Sequence, residues 1–202
     1  TGNWFGSETL EIKPDVMTIA KGLSSGYQPI GGSIISDRIV STLENKGGEF
    51  YHGYTYSGHP VAAAVAIENI RILQEENIIG SVKNVIGPYL NEKWDELKSH
   101  PLVGEARSLG MLGAIELSPE PKSRASFEAT EGTAGPITRN ICIKNGLIMR
   151  HVYDKMIISP PLIISKRQID DLLSLVWKCL DEAQEAIKDN NLMKIGTRRL
   201  EK

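Results

Sequence analysis

The sequence predicts an α/β fold that changes character near residue 100, from a part with buried strands to a smaller α+β part. Three observations predict it. Short apolar runs bounded by proline and glycine occupy residues 14–35, the pattern of strands covered on both faces. Two long stretches with helical spacing of apolar residues fill residues 60–99. Beyond them, strand-length segments punctuated by glycine and proline precede one closing helix. The expected organisation is a first domain over 1–99 that includes a linking helix, a small α+β domain over 100–190, and a polar tail over 191–202.

The first strand is Asp15-Val16-Met17-Thr18-Ile19-Ala20, which follows Pro14. Lys21-Gly22-Leu23-Ser24-Ser25-Gly26 is rich in turn formers, and Ile30 to Ile35 resumes an apolar strand, so a covered sheet is expected. After the polar stretch Asn45–Glu49 and the aromatic loop from Tyr51, Pro60 opens a helix to about Glu76, proline being favoured where no N–H is needed. A second helical stretch from Ile79 to Ser99 is interrupted at Pro88, which predicts a kink or restart. Val103 to Leu117 reads as two antiparallel strands, Ser118 to Gly135 as a polar loop, and Pro136 to Asn145 as a helix stopped by Gly146. Leu147–Val152 and Met156–Ser159 form a hairpin pattern ended by Pro160-Pro161. Ser165 caps the last helix, with Gln168 three residues on and Ile169, Leu172, Leu173, Val176, Leu180, Ala183 and Ile187 along one face.

Composition narrows the function classes. With 23 Lys+Arg against 25 Asp+Glu, a net charge of −2, the 202-residue chain lacks the basic footprint of nucleic-acid binding. A hydrophobic content of 41 % is too high for disorder, and no apolar run nears the roughly 18–20 residues of a spanning helix. No signal-peptide pattern is present. Cys142 and Cys179 lie in stretches that read as helical, so free thiols and a cytoplasmic, reducing compartment are expected, with no nucleic acid, membrane or metal as partner. The basic end, Lys194, Arg198, Arg199 and Lys202 against Glu201, reads as a solvated terminus.

Lys21 is the most informative residue. It stands where a strand gives way to a glycine-rich turn, the strand end at which α/β sheets place ligands, and partial desolvation there would free its amine to attack a carbonyl. Arg150, at a strand end, has two readings: a planar fork for a substrate carboxylate, or a partner for Asp154. Thr55, ahead of a helix start, reads either as an anion donor or as a turn threonine. His52 and His59 read as packing residues of their loop; His100 and His151 as structural or exposed.

The run from Pro14 through Lys21 to Tyr27 with Pro29-Ile30-Gly31-Gly32, the run His52-Gly53-Tyr54-Thr55-Tyr56-Ser57-Gly58-His59-Pro60-Val61, and the runs Gly146–Arg150 and Ile157–Leu162 closely resemble the class III aminotransferases. These are pyridoxal-phosphate enzymes of the aspartate-aminotransferase fold, fold type I. The resemblance extends from Thr1 to about Lys188. It implies that the chain holds the C-terminal part of the large domain followed by the small domain. Lys21 then corresponds to the lysine that forms a Schiff base with pyridoxal 5'-phosphate and carries the proton in transamination. Thr55 and the Tyr54 amide correspond to the phosphate binders of a neighbouring subunit, implying a homodimer or higher homo-oligomer. Arg150 corresponds to the carboxylate clamp of the ω-amino acid:pyruvate branch, where Tyr153 replaces the usual small residue before Asp154.

The implied activity is transfer of an amino group from an amine or ω-amino acid to a 2-oxo acid such as pyruvate. The resemblance implies that the family's Asp-Glu-Val-type segment, whose aspartate pairs with the cofactor ring nitrogen, lies immediately before Thr1, and that the glycine-serine phosphate loop and the stacking aromatic belong to the N-terminal half. Asp15 belongs to the strand leading to Lys21 and cannot replace that aspartate. The expectation is therefore a C-terminal half that is inactive alone, with apolar surface uncovered around its first strands. The alternatives are a non-catalytic folded fragment or interaction module, and another reaction of the same fold, a decarboxylating transaminase or an aminomutase.

Overall fold

A computed structural model describes residues 1–47, 49–128 and 132–196. The chain forms two compact units, one of Asn3–Ile79 and one of Thr1–Gly2 with Gly80–Lys202. The division falls at 79/80 because the helical segment read from sequence as a linker gives its apolar face to the second unit: Val82, Leu90, Trp94 and Leu97 all lie in that unit's core.

The first unit begins with a single helical turn, α1 (Gly6–Thr9), and continues through β1 (Val16–Ala20), a 3-10 turn over Lys21–Leu23, and β2 (Gly31–Ile35). A short helix α2 (Asp37–Thr42) runs on into a π turn (Leu43–Gly47), and α3 (Pro60–Glu75) follows the aromatic loop. The two strands form an antiparallel ribbon in register from Val16↔Ile35 to Ala20↔Gly31. The expectation of a covered sheet is overturned. β2 is exposed along its whole length and β1 alternates between exposed and half-buried, with Val16 52 % and Ile34 44 % exposed. Among the described residues the strands pair only with each other, so their apolar runs reflect preference for extended backbone rather than burial within this unit.

α2 has no counterpart in the sequence reading. Arg38 in its first turn and the Ser36 hydroxyl before it both bind the Asp15 carboxylate, which fastens the helix to the start of β1. α3 starts as its proline indicates, and its buried residues are the small Ala62 and Ala66.

The second unit takes up the chain from α4 (Ile78–Ser81). A π turn (Val82–Ile86) leads into α5 (Gly87–Asp95) and a 3-10 turn (Glu96–Ser99). Pro88 sits in the first turn of α5, where the helix restarts. The unit then runs through β3 (Val103–Leu109), β4 (Leu112–Leu117), α6 (Ala134–Lys144), β5 (Arg150–Val152), β6 (Lys155–Ile158) and α7 (Lys166–Asp189). The sheet order is β3-β4-β6-β5, with every neighbouring pair antiparallel.

One core holds these elements together. Trp94 of α5 is fully buried, and its indole N–H donates to the Ala114 carbonyl of β4 at 3.2 Å. α6 ends at Gly146, whose φ of +79° turns the chain so that the Leu147 N–H reaches the Cys142 carbonyl at 2.8 Å. The start of α7 carries the reciprocal cap seen in the sequence: the Gln168 N–H donates to Ser165 Oγ at 3.2 Å, and the Ser165 N–H donates to Gln168 Oε1 at 2.9 Å. Ile169, Leu173, Val176, Leu180, Ala183 and Ile187 are buried on its inner face.

The loop and tail readings need revision. Phe127, inside the stretch read as a polar loop, is only 3 % exposed and bridges to Ile195. The Glu128 N–H donates to Lys194 O and the Gly196 N–H to Ser126 O, so residues 194–196 pair with the loop, while Asn191, Leu192, Lys194 and Ile195 remain exposed. Burial of Phe127, with Met193 packed on the core, drives that pairing. Arg198, Arg199, Glu201 and Lys202 lie outside the described residues, as do Ala129–Glu131 and Gly48.

His100 closes the 3-10 turn and is buried. Its Nδ1 accepts the Leu102 N–H at 3.1 Å, so the proton lies on Nε2, which donates to Asp181 Oδ1 at 3.1 Å; the ring meets Trp177 edge-on at 5.0 Å. Burial holds its pKa below the ordinary value of 6.5, outweighing the Asp181 contact.

Truncation of Trp94 to alanine should cost about 3–5 kcal/mol in urea or thermal unfolding, the range for a fully buried large aromatic. His100 should make the second unit's stability depend on pH. Above about pH 6.5 both states hold it neutral; below that the unfolded chain protonates first, so stability falls as pH drops towards the lower native value. Urea unfolding between about pH 7.5 and 5.5 should show that slope, and His100→Gln should flatten it.

Candidate active site

Lys21 directly follows β1, and its backbone is left-handed at φ +48°, as is that of Ser25 at +49°. Residues other than glycine take this conformation at a cost, and they keep it only where surrounding contacts over-determine it. Here the contacts are visible. The Lys21 carbonyl accepts the N–H groups of Ser24 and Gly26, both at 3.3 Å, and the buried Ser24 hydroxyl donates to the Gln28 carbonyl at 2.6 Å. From α3, Asn69 Nδ2 donates to the carbonyls of Gly22 and Leu23 at 2.9 and 3.1 Å, while its Oδ1 accepts the Ser25 hydroxyl at 2.8 Å. The turn is stiff and the amine is free: Lys21 is exposed and makes no ion pair among the described residues. The partial desolvation expected from the sequence is absent in this chain, because the ribbon beside Lys21 is itself exposed.

The aromatic loop ahead of α3 lies in the same unit. Tyr54 and Thr55 are both exposed. The Tyr54 N–H, expected to be an anion donor, already donates to Ser57 Oγ at 2.9 Å, and the Ser57 N–H returns to the Tyr54 carbonyl at 2.9 Å. Among the described residues the Thr55 hydroxyl makes no hydrogen bond, which leaves it open to an external acceptor. His52 lies between the rings of Phe50 and Tyr54 at 5.6 and 6.0 Å, and His59 meets Tyr56 at 6.1 Å. An open cleft of about 620 Å³ runs between this loop and the start of β2, lined among others by Gln28, Ile30, Tyr54, Ser57, His59 and Ala62. Neither Lys21 nor Thr55 lines it.

Arg150 opens β5, the edge strand of the second unit's sheet, and is exposed. Its alternative reading as a partner of Asp154 does not hold. Asp154 Oδ1 accepts the N–H groups of Thr133 and Gly135 at 2.7 and 2.9 Å, capping the first turn of α6, where a carboxylate meets unsatisfied amides and the positive end of the helix dipole. Arg150 has no carboxylate partner among the described residues. Tyr153, in the turn between β5 and β6, has φ +51° and a side chain 60 % exposed.

Other reactive groups are engaged or shielded. Asp15 is bound by Arg38 and Ser36, and those contacts, led by the Arg38 hydrogen bond, hold its pKa below the carboxylate norm. The two cysteines are free and buried; desolvation pushes the Cys142 thiol up to about 12 and also raises Cys179.

The Aminotransferase class-III family matches residues 1–180. The chain belongs to the class III aminotransferases. It is 58 % identical over 187 residues to putrescine–pyruvate aminotransferase of Pseudomonas aeruginosa, covering 93 % of this chain and 40 % of that protein. It is 37 % identical over 191 residues to the mitochondrial gamma aminobutyrate transaminase 1 of Solanum lycopersicum, covering 93 % of this chain and 37 % of that protein. Among solved structures, a transaminase from the marine bacterium Virgibacillus matches with a TM-score of 0.87 at 38 % identity, covering 93 % of this chain and 43 % of that one. A thermostable omega transaminase from Pseudomonas jessenii matches at 0.86 and 35 %, with 93 % and 42 % covered. The chain thus spans about two-fifths of the curated relatives it matches. Its fold matches that of the fold type I transaminases, of which it covers 42 to 43 %.

Class III aminotransferases depend on pyridoxal phosphate, and the donor set of this aminotransferase chain fits that group in part. An unpaired, exposed amine at Lys21 suits an aldehyde, and the unengaged Thr55 hydroxyl suits a phosphate oxygen, whereas the Tyr54 amide is taken by Ser57. Asn69 and the capping role of Asp154 were not foreseen from sequence. Asn69 lies mid-helix with its partners 44 to 47 residues away, and no local pattern marks it. No helix among the described residues is long and apolar enough to cross a membrane.

The thiols give a check on this assignment of reactive groups. Neither Cys142 nor Cys179 should react with a thiol reagent near neutral pH in the native protein, and both should react once it is unfolded; rapid native labelling would contradict their burial.

Proposed function

We propose that the chain serves a pyridoxal-phosphate-dependent transamination that moves an amino group from an amine or ω-amino acid to a 2-oxo acid such as pyruvate. The observation that carries this reading is Lys21: a free, exposed amine on a strained turn tied by side-chain hydrogen bonds, in the segment that resembles the cofactor-lysine segment of the class III aminotransferases. The named activity of the relative that is 58 % identical supports a diamine as donor and pyruvate as acceptor.

Lys21 would hold the cofactor through its amine, and Thr55 would hold the phosphate. When bound, pyridoxal phosphate supplies an electron sink that labilises the proton on the substrate α-carbon. Lys21, once its amine is released, is the base that takes that proton and the acid that returns it. Arg150 binds and orients the substrate carboxylate, two parallel N–H donors fixing direction as well as charge. That duty requires a guanidinium with no internal carboxylate, and Asp154 is withheld from Arg150 by the amides of α6. Assignment of Thr55 to a neighbouring subunit's phosphate makes the working unit at least a homodimer. Free thiols at Cys142 and Cys179 support a reducing, cytoplasmic setting.

The test uses the intact protein with pyridoxal phosphate. Lys21→Ala should abolish the Schiff-base absorbance and lower turnover by several orders of magnitude, while Arg150→Ala should raise KM for pyruvate about tenfold or more with a smaller effect on a carboxylate-free amine donor. Full turnover by Lys21→Ala would overturn the proposal.

A further inference from the structure

The side-chain hydrogen bonds that reach residues 21–28 from elsewhere, among the described residues, all involve Asn69. It uses three of its four hydrogen-bonding positions on this turn: two N–H groups to consecutive carbonyls, Gly22 and Leu23, and its oxygen to the Ser25 hydroxyl. The carbonyls belong to the two residues that follow Lys21. Both residues of the turn held left-handed without being glycine, Lys21 and Ser25, stand within one residue of an atom that Asn69 binds. The ribbon on the N-terminal side of Lys21 offers little further restraint, since β2 is exposed throughout. A side chain donating to two adjacent carbonyls fixes the direction of both peptide planes, and with them the direction in which the preceding Cα–Cβ bond leaves the chain.

We infer that Asn69 is a positioning residue for Lys21: it locks the strained turn so that the lysine amine is delivered along one fixed direction for proton transfer. The inference rests on the assignment of Lys21 as the reacting amine, and it adds the group that aims it. Leucine or alanine at position 69 would leave two carbonyls and a hydroxyl to water and let Lys21 relax towards ordinary backbone angles. Aspartate has the same shape and could still accept the Ser25 hydroxyl, but it cannot donate to either carbonyl and would bring a charge against them.

The experiment compares Asn69→Asp, Asn69→Ala and Lys21→Ala in the intact protein. In the cofactor-free protein, hydrogen exchange of the segment 21–28 should speed up about tenfold or more in both Asn69 variants, while exchange in β3 to α7 stays unchanged. In the loaded protein, both should lower kcat about ten- to hundredfold with KM for donor and acceptor within about twofold, and should enlarge the isotope effect of an α-deuterated donor, because the misplaced group is the one that moves the proton. Asn69→Gln, which keeps donor and acceptor, should recover part of the rate. Unchanged kcat and isotope effect in Asn69→Asp, with Lys21→Ala inactive, would overturn the positioning role and leave the Lys21 assignment standing. Loss of kcat with no enlarged isotope effect and a general rise in exchange would show a merely structural residue, again against the inference. Turnover in Lys21→Ala would remove the assignment beneath it.

Discussion

Trp94 lies against the backbone of Gly113, and the second unit is arranged around that contact. A Cβ placed on Gly113 would come within 2.8 Å of the indole and 3.0 Å of the Ile158 side chain, so only glycine lets α5 approach the sheet this closely. The indole N–H uses the adjacent Ala114 carbonyl, which satisfies its one polar atom without water. One ring therefore fixes helix to sheet, and because Gly113 pairs with both Ser108 and Ile158 it fixes three neighbouring strands at once. The β6 so placed is the partner of β5, and Arg150 sits in register with Ile157. The position of the arginine is in this sense a consequence of core packing in its own unit.

The first unit obeys a different physics. It has few buried apolar residues, with Ala62 and Ala66 the buried pair on its long helix, and its ribbon is open to solvent. Side-chain hydrogen bonds do the organising instead: Asp15 gathers Ser36 and Arg38, Ser24 closes its own turn, and Asn69 ties that turn to α3. Exposed ion pairs contribute little each, so the Asp15–Arg38 pair specifies where α2 starts more than it stabilises the unit.

This contrast explains what could be read from the sequence. The capping box at Ser165 and Gln168, the restart at Pro88, the stop at Gly146 and the α7 stripe are local rules with local residues, and all stand in the structure. The candidate residues Lys21, Thr55 and Arg150 were legible through motifs, yet their freedom from internal partners was not. For Arg150 that freedom depends on where Asp154 spends its charge, which is decided by contacts 19 and 21 residues away. The apolar pattern of β1 and β2 alone suggested cover that is not there, because an apolar run reports what a segment tolerates, not what covers it; the exposure found agrees with what the resemblance implied. The buried Phe127 was missed for the opposite reason: it sits among polar neighbours, and its partner strand lies in the tail.

The distribution of charge bears on function more directly than the fold does. Some exposed cations are paired with nearby carboxylates, as Arg71 is with Glu68 and Glu75 and Arg124 with Glu105 and Glu116, although each such pair adds little to stability. Lys21 and Arg150, like Arg139, Arg167 and several lysines, are exposed cations with no carboxylate partner among the described residues, and for Lys21 and Arg150 the nearest carboxylate in sequence is engaged elsewhere. Asp15, six residues before Lys21, holds α2; Asp154, four residues after Arg150, holds α6. Asp154 could not turn to Arg150 without giving up the first-turn amides of α6, which keeps the guanidinium available; Asp15 stands at the far end of β1 from Lys21, roughly 20 Å away along an extended strand, and leaves the amine free by distance.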